Sequence, residues 1–265
     1  YIKWDANFEI QNFGSKYLSG DNQSHLYVDY HLGLRKTLER IRAKYPDLVI
    51  QCCASGGGRV NYGLMPYFDE FWVSDNTDAQ QRLFIQWGTS MFFPACAMAQ
   101  HVSASPNHQT GRVIPLKFRF DVAMTGRLGM EMKPSDLTEK ELAYAKNAVA
   151  TYKEIRPIIQ QGNQYRILSP YDKTGYASEL YITDDKSEAI FFSYKFEHYV
   201  NQFRPRFHFA GLDPNANYKL TEICVEGRTD HWEGRTFTGK FLMQQGIEIA
   251  LNGLFDSKVI RLKKQ

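Results

Sequence analysis

The chain has 265 residues, of which 43% are hydrophobic and 23% charged, so it can bury a sizeable core. Lysine and arginine number 32 against 29 aspartate and glutamate, and these charges are spread along the chain, so we expect no nucleic-acid partner. No apolar run approaches the roughly 18 residues that a membrane-spanning helix needs, and the first residues do not resemble a secretory leader. We expect no membrane partner.

The four cysteines, Cys52, Cys53, Cys96 and Cys224, form no C-x-x-C pair and have no histidine at zinc-finger spacing. We expect reduced thiols, which favour a cytoplasmic protein and leave export open. No histidine pair has the i,i+4 spacing with an intervening glutamate that binds zinc on a helix. Neither a metal site nor a cofactor is predicted.

The first half of the chain alternates apolar runs with helical patterns, which is typical of a βα layer or barrel. The apolar runs that predict strands are residues 1–5, 48–50, 71–75, 91–93 and 122–124. Helices are predicted at residues 30–45, 78–86 and 138–161, the last with Thr138 and Glu141 as a capping box. The polar stretch through His101 to Arg112 is predicted to be a loop.

The second half has short alternating strands with turn signals between them, which predicts an antiparallel β domain. The strands expected here are residues 178–183, 189–194, 206–210, 218–225 and 259–262. We therefore place the domain boundary between residues 1–162 and 163–265, and the fold class is α/β followed by all-β. The aromatic residues Tyr176, Phe191, Phe192 and Tyr194 are expected to pack in the core of the β domain.

Lys3 and Asp5 lie two residues apart in the first predicted strand, so their side chains share a face. A lysine favours the ionised form of a neighbouring carboxylate, which is the form that a nucleophile needs. Asp75 ends the third predicted strand in the same βα order, and catalytic groups of barrels lie at such carboxyl ends. Two carboxylates are the minimal equipment for glycoside cleavage. Both sites also have a structural explanation. Lys3 and Asp5 could form an ion pair at a strand end, and Asp75 could be a turn or helix-cap residue, although Asp78 fits a helix cap better than Asp75 does.

A run of three glycines follows the second predicted strand, in CASGGGR at residues 53–59. Such glycines let a ligand approach the backbone closely, so phosphate and sugar are both candidates. The Lys-Ser or Lys-Thr of a nucleotide P-loop is absent, which weakens the phosphate interpretation. Trp4, Trp72 and Trp87 are candidates for stacking on a sugar or for the core.

Four motifs occur in order: IKWDAN at residues 2–7, CASGGGR at 53–59, WVSDNTDA at 72–79 and the stretch 102–112. Together they resemble the α-galactosidases (melibiases) of glycoside hydrolase family 36. The resemblance covers residues 1–162 closely, and the remaining region is similar in position and type to the C-terminal β-sandwich of that family. It implies part of a (β/α)8 TIM barrel, about strands 4 to 8, followed by an antiparallel β-sandwich.

The resemblance also implies the roles of individual residues. Asp5 matches the nucleophile and Asp75 the general acid/base of a retaining mechanism on α-galactoside oligosaccharides of the melibiose and raffinose kind. The residues that match the sugar pocket are Lys3, Asn7, Cys53, Gly56 and Trp72. No metal or organic cofactor is implied, because two carboxylates and water suffice.

The sequence departs from the family pattern at a few positions. Ala6 and Phe8 stand where the family commonly has Met and Arg, and Val60 and Asn61 stand where it has Phe and Asp. Because the chain begins just before the nucleophile, we expect the N-terminal half of the same enzyme, with the first three barrel strands, to be missing. A half barrel exposes strand edges and apolar surface, which favours a homo-oligomer.

Three functional alternatives stay open from the sequence. The same scaffold serves an α-N-acetylgalactosaminidase, whose acetamido group would need room beside Cys53, or a transglycosylase that makes raffinose-type sugars. The third alternative is a carbohydrate-binding or assembly module without catalysis. Retention of both Asp5 and Asp75 argues against that module, because binding alone needs neither an acid nor a nucleophile.

Overall fold

The computed structural model describes residues 1–7, 14–227 and 229–265. Phe8, one of the positions that depart from the family pattern, lies outside the described residues. The chain divides into two compact units: Tyr1–Asp75 with Ala97–Ala99, and Asn76–Cys96 with Gln100–Gln265. No helix among the described residues is both long and apolar enough to cross a membrane.

The first unit is built on parallel strands with one long helix. Its elements are β1 (Ile2–Trp4), α1 (Leu26–Lys44), β2 (Ile50–Cys52), β3 (Glu70–Trp72) and the first two residues of β4 (Met98–Ser103). The strands pair side by side in chain order, and every pair is parallel. This order, with a helix between β1 and β2, is that of a barrel wall.

Helix α1 forms because its apolar residues recur at helical spacing and have a surface to cover. Leu34 and Leu38 are buried, and with Leu64 they form a cluster against which Trp4 and Phe68 pack. The helix begins at Leu26, one turn before the predicted start. It ends before Pro46, as expected, because proline has no N–H to continue the hydrogen-bond pattern.

The second unit combines helices with antiparallel sheets. Besides the remainder of β4, its described residues form four α-helices and nine strands. In chain order these are α2 (Ala79–Ser90), α3 (Leu116–Ala123), β5 (Arg127–Glu131), α4 (Glu139–Gln161), β6 (Asn163–Leu168), β7 (Tyr176–Ile182), β8 (Glu188–Lys195), β9 (Arg206–Phe207), β10 (Asn217–Ile223), β11 (Thr236–Thr238), α5 (Gly239–Gln244), β12 (Ile247–Glu248) and β13 (Asp256–Lys264). β5 lies next to β4. The fold is thus a parallel half-barrel sheet together with antiparallel sheets.

The larger antiparallel sheet has the strand order β11-β10-β13-β8-β7-β6, and β9 and β12 form a separate pair. One face of the larger sheet carries a core that includes Tyr176 and Phe191. On the other face, the Tyr181 hydroxyl donates to the Thr125 carbonyl at 2.9 Å and the Tyr194 hydroxyl to the Asp121 carbonyl at 3.0 Å. Both faces are therefore used for packing, which confirms the core role predicted for the aromatic residues of this region.

The predicted capping box of α4 is confirmed. The Thr138 hydroxyl accepts from the Glu141 N–H at 3.3 Å, and the Glu141 carboxylate accepts from the Thr138 N–H at 2.9 Å. Asp78 caps α2, since its carboxylate accepts from the N–H groups of Gln80 and Gln81. Both caps satisfy N–H groups that the first helical turn leaves without partners.

Two predicted strands of the first half are wrong. Residues 91–93 follow the end of α2, where Met91 and Phe92 are exposed, and Pro94 stops the chain from entering a ladder there. Residues 122–124 belong to the end of α3, whose eight residues are all buried, so that no polar face marks it as a helix. The fourth strand is instead Met98–Ser103, which places His101 in a strand and not in the predicted loop.

Candidate active site

The carboxyl ends of β1, β2 and β3 meet at one edge of the parallel sheet, and the predicted site residues of the first unit lie there. Asp5 follows β1 directly, and Asp75 comes three residues after β3. Both side chains are exposed. The ladder between β1 and β2 continues past the strand ends, because the Ala6 N–H donates to the Cys53 carbonyl at 3.1 Å. The backbone on the C-terminal side of Asp5 is therefore tied to β2.

Lys3, two residues before Asp5, contacts Trp72 of β3. The Lys3 ammonium lies 5.1 Å from the centroid of the Trp72 ring, within the range of a cation–π contact. Trp72 is only 2% exposed and packs with Cys53 and Ala99. The structure thus brings together Lys3, Trp72 and Cys53, while Trp72 offers little of its surface to a ligand.

Cys53 is buried near Asp5 and remains a thiol at neutral pH. Burial raises the pKa of Cys53 to about 11, the Gly56 N–H and Lys3 oppose that shift, and Asp5 adds to it. The predicted nucleophile and the glycine turn therefore both influence the protonation of this thiol.

Gly56 lets that turn approach the segment that carries Asp75. Its φ is +80°, and a Cβ at this position would lie 2.6 Å from the Ser74 Cα and 3.0 Å from the Asp75 nitrogen. A side chain of any size would push these segments apart. Gly56 therefore serves close backbone contact with the segment that follows β3, in addition to any contact with a ligand.

Asn7 fastens the chain after Asp5 to the same turn. Its side-chain oxygen accepts from the Ser55 N–H at 3.2 Å, and its backbone carbonyl accepts from the Ser55 hydroxyl at 3.0 Å. In this structure Asn7 acts on the backbone of the glycine turn. We infer that its first contribution is to hold the edge of the site.

In the second unit, the loop after β4 supports the segment that follows Asp75. The Asn107 side chain donates to the Thr77 hydroxyl at 3.1 Å, and Ser103 donates to the Thr77 carbonyl at 2.7 Å. The fully buried Asp78 accepts from both Thr110 and Arg112. These bonds give residues 104–112 a structural role.

One residue near the site received no role from the sequence. The Arg59 guanidinium donates to the carbonyls of Trp4 and Cys53, at 2.7 and 2.9 Å. Its place in the CASGGGR motif was visible, but the partners are backbone atoms, which no side-chain pattern reveals. Within the described residues, no group of three or more His, Cys, Asp or Glu side chains is placed to hold a metal ion.

A parallel βα sheet with carboxylates at the carboxyl ends of its strands is the arrangement of a barrel-type glycoside hydrolase. The family model described as Melibiase matches residues 1–162, and the model described as Glycosyl hydrolase family 36 C-terminal domain matches residues 176–262. The chain therefore belongs to the melibiase family.

Individual relatives agree with this assignment. The chain is 37% identical over 266 positions to probable α-galactosidase C of Aspergillus flavus, covering all of this chain and 33% of the relative. It is 39% identical to α-galactosidase AgaA of Geobacillus stearothermophilus, covering 86% of this chain and 31% of the relative. The crystal structure of AgaA superposes with a TM-score of 0.89 over 99% of this chain and 35% of AgaA. The chain thus spans about a third of the length of the relatives it matches.

Variants of AgaA have been solved in complex with raffinose and with stachyose. The raffinose complex matches this chain with a TM-score of 0.90 and 36% identity, again over 99% of this chain and 35% of that one. The described fold of this chain is therefore similar to about a third of an α-galactosidase whose variants have been solved with these sugars.

Proposed function

We propose that this chain carries both catalytic carboxylates of a retaining α-galactosidase. The observation that carries the proposal is the position of Asp5 and Asp75 at the carboxyl ends of β1 and β3 in one parallel sheet. Asp5 is the nucleophile and Asp75 the general acid/base. Lys3, Asn7, Cys53, Gly56 and Trp72 form the wall and floor of the galactose pocket.

The reaction proceeds in two displacements. In the first, an Asp5 oxygen bonds to the anomeric carbon, the bond from that carbon to the leaving oxygen breaks, and Asp75 gives its proton to the leaving oxygen. In the second, Asp75 takes a proton from water, the water oxygen bonds to the anomeric carbon, and Asp5 departs as a carboxylate.

We further propose that β1–β5 correspond to strands 4 to 8 of a (β/α)8 barrel, that residues 163–265 form a β-sandwich domain, and that residues outside this chain complete the sugar pocket. The share of the relatives that this chain covers, 31–33% for the two named above, supports the contribution of residues outside this chain. Val200 and Phe203 are 89% and 91% exposed, which supports a homo-oligomer. Sedimentation of the full polypeptide tests the last point.

For the substrate we propose terminal α-galactosides of raffinose-type oligosaccharides. Support comes from the AgaA complexes with raffinose and stachyose. The rate of galactose release from raffinose, compared with that of an aryl N-acetyl-α-galactosaminide, tests the choice of sugar. Faster cleavage of the acetamido sugar would instead favour the N-acetylgalactosaminidase.

The first experiment replaces the two carboxylates in the full polypeptide that contains these residues. Asp5→Asn is expected to lower kcat on 4-nitrophenyl α-galactoside by at least about 10³-fold, because the nucleophile is lost. Asp75→Ala is expected to lower it too, and azide restores turnover of this activated substrate. The exposed Asp47 of the same unit gives a matched control, since Asp47→Asn leaves kcat unchanged.

Two results would contradict the mechanism. An Asp5→Asn variant with kcat within tenfold of the original enzyme would remove Asp5 from the role of nucleophile. The stereochemistry provides an independent test, because ¹H NMR of the first galactose released shows the α anomer in a retaining reaction. Initial release of the β anomer would show an inverting enzyme.

A further inference from the structure

Arg59 lies where the hydrogen-bond ladder between β1 and β2 comes to its end. The Trp4 carbonyl accepts from the Cys53 N–H at 3.0 Å, and the Cys53 carbonyl accepts from the Ala6 N–H at 3.1 Å. One Arg59 nitrogen, Nη2, donates to both of these carbonyls, at 2.7 and 2.9 Å. A single cationic group therefore joins the last carbonyls of two neighbouring strands.

The glycine turn places Arg59 at this position. The Gly58 N–H donates back to the Ala54 carbonyl at 3.1 Å, so the chain reverses directly after β2. A Cβ at Gly58 would lie 2.7 Å from that carbonyl oxygen, which leaves glycine as the residue that fits. The Arg59 guanidinium also lies 6.0 Å from the Trp4 ring, at the limit of a cation–π contact.

These two carbonyls lie next to the predicted nucleophile, one in the chain and one across the sheet. The Trp4 carbonyl is part of the peptide bond to Asp5, and the Cys53 carbonyl accepts from the N–H of Ala6, the residue after Asp5. Bonds from a charged donor are stronger than neutral ones, so Arg59 holds both groups at the strand ends, where ladders otherwise fray. A displacement of about 1 Å at a reacting group costs on the order of 10² in rate.

We propose that Arg59 is a positioning residue for the nucleophile: it joins the carboxyl ends of β1 and β2 and so sets the place of Asp5 and Cys53. This proposal rests on the proposed role of Asp5. Arg59 acts through the backbone carbonyls that it binds, so its loss should lower kcat and leave KM nearly unchanged.

Arg42 gives a matched control at the opposite ends of the strands. Its guanidinium also donates to backbone carbonyls, those of Leu48 and Tyr67, and it pairs with Asp69 at 2.7 Å. Both arginines are half-buried members of the first unit and bind carbonyls near strand ends. They differ in the strand ends that they bind. Arg59 binds carbonyls at the carboxyl ends, one of them next to Asp5 in the chain, and Arg42 binds carbonyls at the amino ends.

The experiment compares Arg59→Met, Arg59→Lys and Arg42→Met in the full polypeptide, at a temperature where circular dichroism shows all three folded. On 4-nitrophenyl α-galactoside, we expect Arg59→Met to lower kcat by about 10²-fold with KM within threefold. Arg59→Lys keeps one cationic donor and should recover at least fivefold of that loss. Arg42→Met should lower the melting temperature and leave kcat within twofold.

A second measurement does not depend on catalysis. The rate at which iodoacetamide alkylates Cys53, assigned by mass spectrometry of the peptide, reports how firmly the end of β2 is held. We expect Arg59→Met to raise this rate at least fivefold and Arg42→Met to leave it within twofold of the original.

The outcomes separate this proposal from the proposed function. If the unaltered polypeptide cleaves no α-galactoside, the proposed function fails, and the alkylation rates still decide whether Arg59 holds the strand ends. An unchanged Cys53 rate in Arg59→Met overturns the positioning role. So does a kcat for Arg59→Met within threefold of the original, or an equal loss of kcat in Arg42→Met.

Discussion

The two ends of the parallel strands in the first unit use polar side chains in opposite ways. At the amino ends, Asp69 accepts from both Arg42 and the Ile50 N–H at 2.7 Å, and Glu70 accepts from Tyr1 at 2.8 Å and Gln51 at 2.7 Å. At the carboxyl ends, Lys3, Asp5 and Asp75 are exposed. The acidic side chains at the amino ends are thus engaged in hydrogen bonds within the protein, whereas these three side chains at the carboxyl ends are exposed.

This difference shows what each end contributes. Polar groups that are paired within the protein add stability and have little capacity left for a ligand. Carboxylates at the open end are held by their backbone and by neighbours such as Cys53 and Arg59, so they keep a fixed place while remaining accessible. Barrel enzymes show the same division between a stabilising and a catalytic rim. Variants at the two ends should therefore separate loss of stability from loss of activity.

The largest effect is expected at the carboxyl ends, from Gly56→Ala. The new Cβ would lie 2.6 Å from the Ser74 Cα in a backbone with φ +80°, so β3 and the glycine turn must move apart. We expect the free energy of unfolding to fall by more than about 3 kcal/mol and kcat to fall with it. Urea unfolding and turnover of 4-nitrophenyl α-galactoside measure the two.

Gly33 supplies the control for that substitution. It lies in the exposed part of α1, and a Cβ there would meet nothing within 4 Å. Gly33→Ala should raise the free energy of unfolding by about 0.5–1 kcal/mol and leave kcat unchanged. A Gly56→Ala variant as stable as the original protein would contradict the close approach of the turn to Ser74.

An intermediate effect, on stability alone, is expected at the amino ends from Asp69→Asn. The substitution removes the charge that Arg42 and the buried Ile50 N–H share, and each keeps at best a neutral partner. The expected loss is about 2 kcal/mol in the free energy of unfolding, with kcat within twofold of the original. A tenfold fall in kcat would mean that the two ends are not separable in this way.

The sequence predicted those features that depend on side-chain patterns. The location of Asp5 and Asp75 after β1 and β3 was predictable, because a polar residue that follows an apolar strand in βα order lies at a carboxyl end. The capping box placed the start of α4 correctly, since Thr138 and Glu141 act within a single helical turn.

Features that depend on distant or backbone partners were not predictable. Helix α3 shows no polar face because its charged residues are buried, with Lys117 bonded to Asp121 at 2.5 Å and to the Ser257 carbonyl at 2.8 Å. Ser257 lies 140 residues away in the chain. The contacts of Arg59 were not predictable for a related reason. Its partners are backbone carbonyl oxygens, which every residue has, so the sequence does not show which of them Arg59 binds.

The smallest expected effect is the dependence of stability on pH that Cys53, at the carboxyl end of β2, should cause. The pKa of Cys53 is about 11 in the folded chain, mainly through burial, against 9.0 for an ordinary cysteine. The folded state therefore holds this proton more tightly than the unfolded state does. The stabilising contribution of the protonated Cys53 thiol is complete below pH 9 and is lost as the pH rises towards 11, with a slope of at most about 1.4 kcal/mol per pH unit.

Urea unfolding at pH 8 and at pH 10 tests this contribution. The difference in the free energy of unfolding between the two pH values should be smaller for Cys53→Ala than for the original chain. An equal difference in the two proteins would mean that the Cys53 thiol is not held in its protonated form by its buried position.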